Sequence, residues 1–336
     1  MNNAEIKGIL GVMWHRIFMV AIVVSVFAPA CHAVSGDFKK QFKSQPISTA
    51  TESTGTQIIV LGSGTPLYDT DRAGASIALI YKGEVYLFDV GPGSMRNAFA
   101  ASVKYGIPNL KPHLISRLFF THLHSDHTMD YVELANSFWW RRHNRLKVWG
   151  PKGLKKMTSG MYDMMATDRA FRIDHGIQPV KRPDMYRVDV VEIDDGFVYR
   201  HDGLVIEAFR ALHGGIKPAL SYKITAPDLT AVISGDTRYN SVLEEKARGV
   251  DFLFHEVISE SALRKLPQRW QEYHKKSHTL SSDLGKLAAR AQPGTLVIYH
   301  GLLYDVSEDT LRKEIRKFYD GQLVLASDLE RFSGNR

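Results

Sequence analysis

At 336 residues, 44% hydrophobic and 24% charged, the chain has the composition of a globular protein with length for one large core or two modest ones. Its one cysteine, Cys31, excludes an internal disulfide framework. A net charge of +7 favours anionic substrates or envelope polyanions, without by itself indicating nucleic acid.

Residues 1–33 read as a secretory signal peptide. Lys7 and Arg16 supply a positive start, Ile17 to Ala28 form an apolar block, and Ala28-Pro29-Ala30 or Cys31-His32-Ala33 offers small residues for cleavage after Ala30 or Ala33. The apolar block is too short to span a bilayer, so no stable membrane span is expected after cleavage. A lipid anchor on Cys31 fits less well, because Ala28 stands where a large aliphatic residue is expected. Removing residues 1–33 takes away Lys7, Arg16 and Glu5, a net +1, and leaves +6. A periplasmic or secreted protein is the expectation. Residues 34–55, rich in Ser, Thr and Gln, read as a linker, and 56–336 as one domain.

From Gln57 onward, apolar strands and helical segments follow one another. The patterning predicts strands at Gln57–Leu61, Ser76–Tyr81, Glu84–Asp89, Leu114–Thr121, Leu146–Trp149 and Tyr186–Ile193. Further strands are predicted at Leu204–Leu212, Leu220–Thr225, Ala231–Ser234, Asp251–His255, Thr295–His300 and Leu323–Ala326. Helices are predicted at Ser94–Tyr105, Met129–Trp140, Leu154–Thr167, Asn240–Ala247, Ser281–Ala291 and Glu308–Phe318. This order suggests an α/β sandwich: two sheets face to face with helices outside.

The run Thr121-His122-Leu123-His124-Ser125-Asp126-His127 follows an apolar strand. Residues two apart in extended chain share a side, so His122 and His124 can converge on one ion. Asp126 and His127 fall where the strand turns into a helix, facing a second position. Side chains of these types so close would repel or strand polar groups unless a cation joined them. His213, Asp236 and His300 each close an apolar run, where a rigid sheet holds a ligand at its rim. Singly, each has a bland reading as a surface residue, and Asp236 as a cap for the helix near Asn240. Together with the cluster at 122–127 they point to a metallohydrolase.

These motifs, with Leu61-Gly62-Ser63-Gly64-Thr65-Pro66, Asp89-Val90-Gly91-Pro92-Gly93, Gly150-Pro151-Lys152-Gly153, Ser234-Gly235-Asp236-Thr237, His255-Glu256 and His278-Thr279, resemble the metallo-β-lactamase superfamily over Thr56 to about Phe332. The resemblance implies an αββα fold and two divalent ions, with zinc the expected metal. It implies His122, His124 and His213 on the first ion, Asp126, His127 and His300 on the second, and Asp236 bridging them. The bridging Asp, the His-Glu and the His-Thr motifs look most like the ribonuclease Z and periplasmic arylsulfatase branch. True β-lactamases generally lack that Asp, and one subclass uses a Cys ligand absent here.

Two divalent cations against the carboxylates of Asp126 and Asp236 leave residual positive charge, which suits an anionic ester. The expected chemistry is in-line attack by metal-activated water on a sulfate or phosphate (di)ester, with Asp126 orienting that water. The resemblance assigns protonation of the leaving oxygen to His278, oriented by Glu256. Arg72, after the first Gly-rich turn, is expected to bind a sulfate or phosphate oxygen. It stands where ribonuclease Z enzymes carry an Arg-Asn pair, here Arg72-Ala73.

Three departures argue against transfer RNA. The signal segment leads away from it; Lys155 to His201 holds no low-complexity arm; and Gly301-Leu302-Leu303-Tyr304 follows His300 in place of Ser and Arg. The run Phe138-Trp139-Trp140-Arg141-Arg142-His143-Asn144-Arg145 admits base stacking. Packing of a helix end on the sheet, with one Trp at the pocket, fits it better. Met157, Met161, Met164 and Met165 fit helical spacing as core or a pliable pocket wall. The expected partner is a small or medium anionic ester, nucleic acid is not favoured, and a homodimer is compatible. The alternatives are a 3′-tRNA processing endoribonuclease, a β-lactamase, and a non-catalytic metal-binding envelope protein.

Overall fold

Strand β1, Gln57–Gly62, is buried at every position because it runs between two apolar layers. Ile58 and Val60 point into a cluster shared with Leu204, Ile206, Tyr222 and Ile233. Ile59 and Leu61, one step out of phase, join a second cluster with Met95, Ala98, Leu134 and Leu154. Period-two alternation along a strand apolar on both faces sets this arrangement. The computed structural model describes residues 55–176 and 182–334, so the expectations for 1–33 and, Gly55 apart, for 34–55 lie outside the described residues.

The first sheet continues with β2 (Ser76–Tyr81), β3 (Glu84–Phe88), β4 (Arg117–Phe119), β5 (Lys147–Gly150) and β6 (Asp189–Glu192). The second holds β7 (Val198–His201), β8 (Leu204–Ala211), β9 (Ala219–Ala226), β10 (Leu229–Ile233), β11 (Phe252–Ile258), β12 (Thr295–Leu302) and β13 (Leu323–Leu325). Strand β14, Glu330–Ser333, returns to the first sheet antiparallel to β1. The spatial orders are β14-β1-β2-β3-β4-β5-β6 and β13-β12-β11-β10-β9-β8-β7. Each sheet is antiparallel on one side and parallel on the other, from β3 to β6 in the first and from β10 to β13 in the second.

Helices α1 (Ser94–Lys104), α2 (Ser125–Thr128), α3 (Tyr131–Asn136), α4 (Leu154–Met164) and α5 (Ala166–His175) all precede β6. Met95 of α1, Leu134 of α3 and Leu154 of α4 cover the outer face of the first sheet. Helices α6 (Ser241–Lys246), α7 (Glu260–Leu263), α8 (Gln268–Ser277), α9 (Ser281–Ala291) and α10 (Glu308–Arg316) follow. Leu243, Leu284, Leu287, Leu311 and Ile315 cover the second sheet. The layers are αββα, as the motifs implied. Among the described residues no helix is long and apolar enough to cross a membrane.

Several boundaries differ from the patterning. The strand expected at 114–121 is β4 alone, with a 3-10 turn at Pro112–Leu114 before it. The helix expected at 129–140 stops at Asn136, and Phe138 takes a left-handed φ of 52°. Arg142 explains the break: it is buried, donates to the carbonyls of Ile115 and Leu134, and draws the chain back under the helix end. Trp139 is fully buried beside it, so these two residues of the run are packing, whereas Phe138 is 51% exposed. Of the methionines, Met161 is core and Met157 packs against it, whereas Met164 is 73% exposed. The helix expected at 154–167 is α4, and α5 carries the chain on to His175; strands β7 and β14 and helices α7 and α8 were not anticipated.

Candidate metal centre and active site

The side chains expected to share one site converge at the ends of the strands. After β4, Phe120 donates its N–H to the Trp149 carbonyl, and the chain then leaves the sheet. Thr121 is tied to buried Asp89, whose Oδ1 accepts the Thr121 N–H at 2.8 Å and whose Oδ2 accepts its hydroxyl at 2.7 Å. That tether aims His122 and His124 together, with His122 Nε2 3.0 Å from His124 Nδ1. His213 comes from the loop after β8, its Nδ1 donating to the Ser277 carbonyl at 2.8 Å and its Nε2 lying 3.2 Å from His124 Nδ1.

Asp236 follows β10 through Gly235, whose φ is +56° and where an added Cβ would lie 2.8 Å from the Leu220 carbonyl oxygen. Only glycine lets the Asp236 loop pass there. Asn240 caps α6 with its own side chain, which leaves Asp236 free of that task. The irregularity between β11 and β12 sets Glu256 opposite His300 at the strand ends. His300 Nε2 lies 3.2 Å from Asp126 Oδ2, and His127 Nε2 lies 3.4 Å from the same oxygen.

Two donor groups result, His122 with His124, His213 and Asp236, and Asp126 with His127 and His300, the donor atoms of each lying within 4.8 Å of one another. Asp236 faces both. Its Oδ2 is 3.8 Å from His213 Nε2 and 3.9 Å from His122 Nε2; its Oδ1 is 3.3 Å from His127 Nε2 and 3.8 Å from His300 Nε2. His127 Nε2 and Asp236 Oδ1 are buried and make no hydrogen bond. Buried polar atoms are rarely left so, and imidazole and carboxylate donors aimed inward fit a pair of divalent cations.

Electrostatics agree with that fit. Burial, then the His127 charge, holds the His122 imidazole well below its ordinary value. Against the effect of burial, the carboxylates of Asp236, Asp126 and Asp89 lift His127 well above its own. Behind the donors, His278 Nδ1 lies 3.2 Å from Glu256 Oε2, while Glu256 Oε1 accepts the Thr279 N–H at 2.8 Å. Burial holds His278 at about 4 and, with the Asp236 charge, pushes Glu256 well up. The buried pair therefore holds one proton between Oε2 and Nδ1 rather than separated charges, which leaves His278 Nε2 for the cavity.

Residues 85–300 match the family model described as a beta-lactamase superfamily domain. The chain belongs to the metallo-β-lactamase superfamily. A ribonuclease Z of Mycobacterium marinum is 30% identical over 281 residues, 82% of this chain and 97% of that protein. Two solved structures share the superfamily fold: the metallo-β-lactamase fold protein YhfI from Bacillus subtilis and human tRNase Z, short form. YhfI aligns with TM-score 0.63 at 16% identity, over 83% of this chain and 100% of that chain. The human protein aligns with TM-score 0.60 at 17% identity, over the same shares. Within the superfamily the chain is a ribonuclease Z-like, metal-dependent hydrolase.

Arg72 stands apart from this centre. Its guanidinium donates to Ser63 Oγ at 2.7 Å and the Ala326 carbonyl at 2.8 Å, and pairs with Glu308. It does not line the cavity over the donor groups; it lines an adjoining one that shares Leu67 and Tyr304, where Ser63, Ala326 and Glu308 already engage its guanidinium. The cavity over the donor groups, about 220 Å³, is walled by Pro66, Leu67, Trp270, Tyr273, His274 and Tyr304 above His124, Asp126, His213, Asp236 and His278. The tryptophan at the pocket is Trp270, not one of the run at 138–145. Trp270, Tyr273 and His274, three and four apart, share one face of α8, a helix the patterning did not anticipate. Asp89 lay within a quoted motif, and its bond to His127 appears only in three dimensions.

Proposed function

We propose that the protein hydrolyses a sulfate or phosphate (di)ester, arylsulfatase- or ribonuclease Z-like, with two zinc ions held by the residues at 122–127, His213, Asp236 and His300, in the periplasm or outside the cell. The observation that carries this reading is the division of Asp236 between the two donor groups, Oδ2 toward His122 and His213 and Oδ1 toward His127 and His300. Divalent ions there would activate water at neutral pH and neutralise charge developing on the ester oxygens.

The chain's own residues do the rest. Asp126, beside His300 and His127, accepts a hydrogen bond from the attacking water and turns its lone pair toward the ester. His278 delivers a proton from Nε2 to the leaving oxygen as Nδ1 takes the proton shared with Glu256. Glu256, left as a carboxylate, keeps the Thr279 N–H and the Thr237 N–H as hydrogen-bond donors. Pro66, Leu67 and Trp270 narrow the approach of bulk water. The test is a panel of aryl sulfates, phosphodiesters and β-lactams, with and without chelator. Chelator-sensitive turnover of a sulfate or phosphate ester is expected, and none on either class would overturn the proposal.

A second reading, 3′-tRNA processing, is favoured by the 30% identity to the Mycobacterium marinum ribonuclease Z. Cleavage of a precursor tRNA that disappears in His278→Ala would establish it. Chelator-sensitive ester hydrolysis with intact precursor would exclude it.

A further inference from the structure

The cavity over the donor groups carries an aromatic wall that takes no part in the proton transfers. Trp270, Tyr273 and Tyr304 line it, and each ring is about half exposed, at 45%, 44% and 39%. Trp270 meets Tyr273 edge to face at 5.8 Å, and Trp270 lies near-parallel to His274 at 6.1 Å. Tyr304 is placed rather than loose: its hydroxyl is 2.7 Å from Nε2 of the buried His274, and its backbone has a left-handed φ of 51°. A non-glycine residue persists there only when its surroundings hold it, and such positions cluster at functional sites. None of the residues lining this cavity is a lysine or arginine, and Arg72, in an adjoining cavity that shares Leu67 and Tyr304, is paired with Glu308.

Rings left half uncovered, on one side of a site built for one anionic centre, suit a flat aromatic group carried by the same substrate. A polynucleotide backbone, with an anion at every residue, would want cations along the wall. We propose that Trp270, Tyr273 and Tyr304, with Tyr304 positioned by His274, select a substrate in which one planar aromatic ring sits beside one anionic ester. The inference rests on the ester-hydrolase reading for the reaction, but the recognition it describes is measurable without turnover. The ring belongs either to an aryl ester or to a mononucleotide.

The test is calorimetric titration of the metal-loaded protein with benzenesulfonate, cyclohexanesulfonate, thymidine 5′-monophosphate and deoxyribose 5-phosphate, none of which needs to react. Benzenesulfonate is expected to bind about tenfold more tightly than cyclohexanesulfonate, the scale of one aromatic contact. Trp270→Leu and Tyr304→Leu should each erase most of that preference, and Tyr304→Phe, which keeps the ring, should retain more of it. If Trp270→Leu fails to fold, Tyr273→Leu at a half-exposed position takes its place. Tighter binding of the nucleotide than of deoxyribose 5-phosphate, which carries the same anion, assigns the ring to a nucleobase, and no such gain beside a preference for benzenesulfonate over cyclohexanesulfonate assigns it to an aryl ester; either supports the wall. Equal affinity for the two sulfonates, or a preference unchanged in every variant, overturns it. Absence of turnover on all esters with the aromatic preference intact would strike the hydrolase reading and leave the wall standing.

Discussion

Asp89 Oδ2 lies 2.8 Å from His127 Nδ1, and that bond turns Nε2 of the same ring toward Asp126 and Asp236. A carboxylate behind an imidazole fixes its tautomer and raises its basicity as a ligand. Asp89→Asn is expected to weaken one of two metal-binding steps by about 10–100-fold and leave the other near its parent value. A metal titration that resolves the two steps checks this, and two unaltered steps would contradict it.

His278 and Glu256 form a unit whose loss should be chemical rather than structural at the metals. His278→Ala is expected to lower kcat by about 10²–10⁴-fold with metal content unchanged, the range for a lost general acid. The deficit should shrink on esters with acidic leaving groups such as 4-nitrophenol, which depart without a proton. Equal deficits on phenyl and 4-nitrophenyl esters would assign His278 another task.

Removing metal should uncover the strain of the donor groups. Buried His127 Nε2 and Asp236 Oδ1 make no hydrogen bond and would gain a partner from bound cations. At a free metal concentration 100 times Kd, one site adds about 2.7 kcal/mol, or roughly 4–5 °C in Tm for a domain of this size. Thermal melts with and without chelator measure it, and identical curves would count against an intact centre.

Arg72 gives a contrast. Its contacts to Ser63, Ala326 and Glu308 tie the segment after β1 to β13 and α10. Arg72→Met is expected to lower stability by about 1–3 kcal/mol, mainly through the hydrogen bonds, since the Glu308 pair is half exposed and screened. KM for an anionic ester should move less than twofold. A tenfold rise in KM without loss of Tm would return Arg72 to the substrate site.

The core strands and the donor residues were legible for related reasons. β1, β2 and β12 are largely apolar because both faces are covered, β8 keeps one buried face against half-buried Val205, Glu207 and Arg210, and His213 and His300 stood out just after or within such strands. Asp236 stood out after Gly235 in the same way. What escaped had no such contrast. Strand β14 is a half-exposed edge that forms because Gln57–Val60 need a partner. Helix α8 is polar in composition, so its aromatic face gains meaning only when β12 brings Tyr304 against His274. Arg72 looked like a free cation because its partners, Ala326 and Glu308, lie more than 230 positions away.

Metal stoichiometry by mass spectrometry on the purified protein tests the binuclear centre most directly. The parent should carry two divalent ions per chain, and Asp236→Ala should fall to one or fewer, because both groups lose the same carboxylate. A parent holding fewer than one ion after metal loading, or an Asp236→Ala protein that still holds two, would contradict the account.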